Sequence, residues 1–155
     1  MTTLISGAQD VYAQHLEKEF GSPKGSNEKR IEACEKMLGY RFPKSYREYL
    51  TWMGDDKGGI FRGSEWFLDD VMSNTRLLPE LLHDNNVTFE HEGTAVCFFS
   101  HQGYMAAWFY LPAKKDDPEC YFFSEVMSPA RVESTGTFSE FLVEELMGPV
   151  RRRLA

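Results

Sequence analysis

Three short runs of bulky side chains in the second half of the chain set the strongest limit on what it can fold into. Cys97-Phe98-Phe99, Ala106-Ala107-Trp108-Phe109-Tyr110 and Tyr121-Phe122-Phe123 lie within the segments Thr94–Ser100, Tyr104–Leu111 and Glu119–Glu125. The polar connections His101-Gln102-Gly103 and Lys114–Pro118 separate them, so the three segments read as antiparallel strands. A strand with one wet face alternates apolar and polar residues, whereas these runs are nearly continuous, which predicts a sheet covered on both faces in its middle. Helices must supply that cover, and the flanking sequence offers them.

Ser6-Gly7-Ala8-Gln9 has capping-box spacing, followed by Ala8, Tyr12, Leu16 and Phe20 at intervals of four until Gly21 and Pro23. Asn27 is placed to cap a second helix with Ile31, Cys34, Met37 and Leu38 as its apolar stripe and Gly39 as its left-handed stop. Pro43 suits the first position of a third helix carrying Tyr46, Tyr49, Leu50 and Met53, with Gly54 at its end. Asp69 or Asp70 would cap a fourth, running through Leu78 and broken at Pro79 before Leu81 and Leu82. A further short strand is expected after Pro129. Thr137-Phe138-Ser139-Glu140 forms a second capping box ahead of a closing helix that Gly148 and Pro149 should stop, leaving residues 148–155 as an exposed basic tail with Arg151-Arg152-Arg153. The expected fold class is α+β: a single domain over residues 1–155, with a mainly antiparallel (mixed) β-sheet flanked by N-terminal helices and a C-terminal helix.

A chain of 155 residues, 42% hydrophobic, has room for one sizeable core and not for two ordinary domains. Its longest apolar run, Ala106–Leu111, falls far short of the roughly 20 residues of a membrane helix. The N-terminal stretch has no basic start followed by an apolar core, so it does not read as a secretion signal, and a cytoplasmic location is expected. Cys34, Cys97 and Cys120, odd in number and irregularly spaced, suit reduced buried thiols.

The net charge of -7 is unevenly distributed. Residues 1–64 are near neutral, whereas residues 65–150 hold fifteen acidic against four basic side chains. Between residues 65 and 95, Glu65, Asp69, Asp70, Glu80, Asp84, Glu90 and Glu92 face Arg76 alone. Such a field repels nucleic acid and attracts basic surfaces. Trp66, set between Glu65 and Asp69-Asp70, is the tryptophan whose context suits recognition, with core packing as the alternative.

The signatures of common chemistry are missing from the sequence. Gly54–Gly59 has glycines at phosphate-loop spacing, but Ile60 and Phe61 stand where Lys and Ser/Thr would be needed. Tyr40 and Lys44 match the Tyr-x-x-x-Lys spacing of some reductases, yet Pro43 interrupts the helix that would align them. Glu90 and Glu92 flank His91, but neighbours on a strand point to opposite faces. His15, His83, His91 and His101 form no zinc-ligand pattern with the cysteines. No catalytic residue, metal or cofactor is therefore assigned.

The order of Ile31–Leu50 followed by Gly58-Gly59 resembles the N-terminal signature of the SUKH superfamily of Smi/Knr-type domains. The matching features are Glu35, the pair Leu38-Gly39, the step Phe42-Pro43, the aromatic helix with Tyr46, and the glycine turn Gly58-Gly59. Tyr121-Phe122-Phe123 and then Phe138, Phe141 and Leu142 are similar to the late strand and closing helix of that family, so the resemblance spans about residues 27–147. Asp55-Asp56-Lys57 stand where the family commonly has Asn. In architecture, Leu38 and Phe42 would be core, Gly39 a helix stop and Pro43 a helix start. The resemblance implies a mixed sheet flanked by helices, used in bacteria mainly by immunity proteins that bind polymorphic toxins, many of them nucleases or deaminases, and in fungi by a regulator of cell-wall glucan synthesis. A nucleic-acid-directed toxin carries basic surface, and an acidic patch on an inhibitor can occupy it. The expected partner is a cognate toxin or another protein, with no direct nucleic-acid contact and no membrane. The contact candidates are Glu65, Trp66, Asp69, Asp70, Glu90 and Glu92, then Asp55 and Asp56. A regulatory interaction module and a small-ligand-binding protein are the alternatives.

Overall fold

A computed structural model describes residues 2–154. Four strands, β1 (Ala95–His101), β2 (Met105–Tyr110), β3 (Glu119–Ser124) and β4 (Glu133–Thr137), form one sheet in the order β1-β2-β3-β4. Each adjacent pair is antiparallel, so the sheet is antiparallel throughout rather than mixed. The β1–β2 connection is tight because Gln102 and Gly103 both take positive φ (49° and 76°), the geometry whose twist matches that of the strands it joins.

The two sheet faces bury different sets of side chains, as the period of two requires. Val96, Phe98, Ala107 and Phe109 belong to the larger core, while Ala95, Cys97, Ala106 and Trp108 belong to a smaller one. A register shift between Cys97 and Phe99 places two successive residues, Phe98 and Phe99, in the same core. That bulge is one reason the run looks continuous in sequence.

Six helices cover the sheet: α1 (Ser6–His15), α2 (Glu17–Phe20), α3 (Glu28–Leu38), α4 (Lys44–Met53), α5 (Val71–Asp84) and α6 (Phe138–Leu154). Together they make a single α+β domain. α4 and α6 close the larger core, where Tyr46 of α4 meets Phe109 at 5.3 Å and Phe138 at 5.3 Å between ring centroids. α5 closes the smaller core with Leu78 and Leu82, and its Thr75 hydroxyl accepts a 3.0 Å bond from the Cys97 amide at the bulge.

Several helix limits follow from local chemistry. Asn27 caps α3 by accepting from the Arg30 amide at 2.9 Å, and Gly39 ends it at φ 84°. The expected apolar stripe of α3 needs one change. Met37 is 70% exposed, and the buried stripe runs Ile31, Cys34, Glu35 with Leu38 half-buried, the i, i+3, i+4, i+7 set of one helix face. Thr137 and Glu140 form the expected capping box of α6, the Thr137 amide donating to Glu140 Oε1 at 3.0 Å. Pro43 caps α4 from outside rather than opening its first turn.

Three expected breaks are overruled by burial. Ser6 lies inside α1 with Ile5 as its cap, because Ile5 is fully buried and draws the chain inward; Gln9 accepts from the Thr3 hydroxyl instead. α5 continues through Pro79, since Leu78 and Leu82 are buried on the same face and each contributes roughly 1.5–3 kcal/mol against the lost hydrogen bond. α6 continues through Gly148 and Pro149 because Val150 beyond them is buried. Residues 148–154 are thus helical rather than a frayed tail. Arg151 pairs with Glu144, and Arg153 donates to the His15 carbonyl at 2.9 Å. Ala155 lies outside the described residues.

The Gly58-Gly59 step closes a turn in which the Gly59 amide donates to the Asp56 carbonyl at 3.0 Å. The two glycines are not equivalent. A Cβ on Gly59 would collide with the Asp56 carboxylate, whereas one on Gly58 meets open space. Gly59→Ala is therefore expected to cost about 1–3 kcal/mol in urea unfolding and Gly58→Ala under about 1 kcal/mol. Equal costs would show that the turn yields as a whole.

Candidate interaction surface

The residues that resemble a family signature turn out to be an internal brace. Glu35, 6% exposed, accepts from the Phe42 amide at 2.6 Å and from Nε and Nη2 along one edge of the Arg47 guanidinium at 2.9 Å each, and Arg47 also reaches Glu28 at 2.7 Å. The Glu35 hydrogen bond leads the effects that hold the Arg47 guanidinium above its usual range. Phe42 and Tyr46 are buried as expected, but Leu38 is only half-buried. The turn between α3 and α4 is thus fixed by one carboxylate.

Trp66 is 1% exposed and belongs to the larger core, so it is not a contact residue. Its ring stacks on Phe61 at 4.6 Å and meets Phe99 at 5.2 Å, and its carbonyl accepts from the Tyr49 hydroxyl at 2.9 Å. A large aromatic beside acidic residues has two environments open to it, and the bulged strand β1 supplies the apolar one.

The acidic candidates separate into two groups at opposite ends of α5, a helix of 14 residues and about 21 Å. At its N-terminal end, Asp55 is paired with Arg30, and Asp69 bridges Arg30 and Lys57 at 2.5 Å each. The Lys57 hydrogen bond is the first cause that holds the Asp69 carboxyl below its usual range. Asp70 is half-buried and accepts from the Phe67 amide at 3.2 Å, while burial pushes its carboxyl up. Asp56 is buried with its Oδ2 unpaired, and Glu65 has its Oε2 buried and unpaired while its backbone bridges Ser100. These five acids are neutralised or turned inward.

At the C-terminal end, Glu80, Asp84, Glu90 and Glu92 all lie exposed. Among the described residues none of them pairs with Lys or Arg; Glu92 meets the His83 imidazole at 2.9 Å. Glu125, which accepts from Asn85 at 3.2 Å, brings a fifth carboxylate close by. Glu80 and Asp84 sit where the helix dipole is already negative, a placement that costs stability and concentrates negative potential. Leu77 and Val126, 52% and 79% exposed, give the region apolar contact area.

The three thiols are buried, and burial pushes Cys34 up to about 11 and Cys97 up to about 12, so neither is poised as a thiolate nucleophile. Among the described residues no three His, Cys, Asp or Glu side chains are grouped to hold a metal, and no helix is long and apolar enough to cross a membrane.

The architecture defines an α+β domain in which Glu35 and Arg47 brace the α3–α4 turn, with a cluster of exposed carboxylates at the C-terminal end of α5. The model of the SMI1 / KNR4 family (SUKH-1) matches residues 25–144, and the chain belongs to that family, which groups domains of immunity-protein or regulator type. A comparison with curated proteins finds no match.

Two ion pairings escaped sequence reasoning, those of Arg30 with Asp55 and Asp69 and of Glu35 with Arg47. Arg30 lies 25 and 39 positions from the carboxylates it holds, so no local pattern signals it. Glu35 did leave a signal, since it falls on the buried stripe of α3 where an isolated charge requires a partner.

Proposed function

We propose that this chain is a non-catalytic cytoplasmic immunity protein that binds and neutralises a cognate polymorphic toxin through the acidic surface at the C-terminal end of α5. The observation that carries this reading is the contrast between the two acidic groups: Asp55 and Asp69 are neutralised within the fold, whereas Glu80, Asp84 and Glu90 are exposed and unpaired among the described residues. A toxin directed at nucleic acid holds phosphates with Lys and Arg, and an unneutralised carboxylate ridge is complementary to that surface. Leu77 and Val126 supply the apolar contact that charge alone lacks.

The test is affinity capture from the native host, eluted in steps of rising salt, with Glu80→Lys/Asp84→Lys/Glu90→Lys beside the unaltered protein. A single basic partner, toxic when expressed alone, should be recovered by the unaltered protein and associate at least about tenfold more slowly with the variant at low salt. Asp69→Lys should leave that rate nearly unchanged. Identical association of the triple variant would remove the ridge from the proposal, and several nontoxic partners would favour a regulatory module instead.

A further inference from the structure

The sheet face that carries the smaller core is only partly roofed. α5 packs over β1, and α6 closes the larger core on the other face. Over the end of β2 and the start of β3 the cover falls to residues 85–94, the segment that joins α5 to β1 and packs there through Val87 and Phe89. Where that segment ends, a cleft of about 480 Å³ opens between Tyr110 of β2 and Tyr121 of β3, with His91 on one wall and the buried Leu111 and Pro118 also lining it.

The aromatic walls are fixed by their own contacts. The Tyr110 hydroxyl accepts from Trp108 Nε1 at 3.2 Å, the Tyr121 ring lies 5.3 Å from that of Tyr110, and the His91 ring meets Tyr110 edge-on at 5.7 Å. Two charges of each sign complete the lining, Lys114 and Lys115 against Asp117 and Glu119. A charged occupant gains little net attraction from such walls and loses hydration on entry, whereas a neutral ring gains aromatic contact without that loss.

The cleft is continuous with the acidic ridge. Glu90 and Glu92 stand exposed on the ridge, Glu92 reaching His83 of α5, and His91 between them lines the cleft. Burial pushes the Tyr110 hydroxyl up, and the Glu90 carboxylate adds to that shift across the boundary. Exposed carboxylates speed the arrival of a basic surface more than they prolong its stay. Long residence needs an anchor in a preformed, desolvated pocket, and aromatic side chains lead such anchors.

We propose that this cleft takes a neutral aromatic side chain, tryptophan or tyrosine, of the basic partner whose surface docks on the ridge. The assignment rests on the reading of the ridge as that partner's docking site. The ridge then sets how fast the partner arrives, and the cleft sets how long it stays.

The first arm of the test needs no partner. N-Acetyl-tryptophanamide, titrated into the full chain, should shift the ring NMR signals of Tyr110 and Tyr121, leave those of the buried Tyr46 and Tyr49 in place, and bind at least about twofold more tightly than N-acetyl-leucinamide. The second arm uses the partner recovered by affinity capture, which at saturation should displace the tryptophan amide. Tyr121→Ala should speed dissociation of that partner at least about tenfold at an unaltered association rate, and Tyr121→Phe should restore most of the residence time. His91→Ala changes an exposed ring and should keep the melting temperature while speeding dissociation by about threefold or more. The triple ridge variant should slow association alone, so failure of the ridge reading shows in one rate and failure of the cleft in the other. Unmoved Tyr110 and Tyr121 signals, a preference for the leucine amide, a tryptophan amide that the partner does not displace, or unaltered dissociation from both Tyr121→Ala and His91→Ala would each overturn the proposal.

Discussion

Replacing Arg47 with alanine is expected to cost about 3–5 kcal/mol of stability, which for a chain of this length lowers Tm by roughly 6–20 °C. The reason is the state in which it leaves Glu35. That carboxylate is 7% exposed at its side chain, and without the guanidinium it keeps only the Phe42 amide as a donor. A buried charge with one donor is far worse than no charge, so Glu35→Leu/Arg47→Met should recover part of the loss by removing both partners together. Glu28→Ala, whose side chain is 56% exposed, should leave Tm nearly unchanged. Paired urea and thermal melts decide the matter. A loss below about 1 kcal/mol for Arg47→Ala would mean that apolar packing alone fixes the α3–α4 turn.

Trp66→Ala should be the other large effect, about 3–5 kcal/mol by urea unfolding. Trp66 contacts Tyr49, Phe61, Phe98, Phe99 and Phe141, aromatic rings drawn from α4, the following loop, β1 and α6. Its removal opens a cavity among rings that cannot collapse together, and Trp66→Phe should restore much of the loss by refilling it. The decisive readout is association kinetics. Folded Trp66→Phe should associate with the partner recovered in the capture experiment at the unaltered rate, since the ring is 1% exposed. A slowed rate at unchanged stability would reinstate Trp66 as a contact.

These two residues show why stability and recognition are separable here. Both sit inside stretches that look functional by charge or by family signature, yet both hold the scaffold. The ridge at Glu80, Asp84 and Glu90 carries little of the fold, so its substitution probes binding directly.

Local physical chemistry made much of the fold legible. The Asn27 and Thr137 caps, the Gly39 stop, the Gln102-Gly103 turn and the three aromatic strands depend on residues within a few positions of one another, and each stands where its pattern places it. The family signature was equally local, and it led from residues 27–147 to a matched span of 25–144. The misread points share one cause. Pro79, Pro149 and Ser6 carry local signals to stop or start a helix, and distant burial of Leu82, Val150 and Ile5 outweighs them. The acidic region divides in the same way. From sequence Asp69 and Glu90 are alike, and only the approach of Arg30 and Lys57 in space neutralises one and leaves the other free.

The sequence by itself therefore determined the class of fold and the existence of an acidic second half, because periodicity, caps and composition act over a few residues or over the whole chain, and the resemblance of Ile31–Leu50 to a known signature pointed to the family. Tertiary structure alone decided which acids remain charged toward solvent and that Trp66 is core. Those outcomes depend on pairing across many positions and on competition for a limited interior, which no short window of sequence contains.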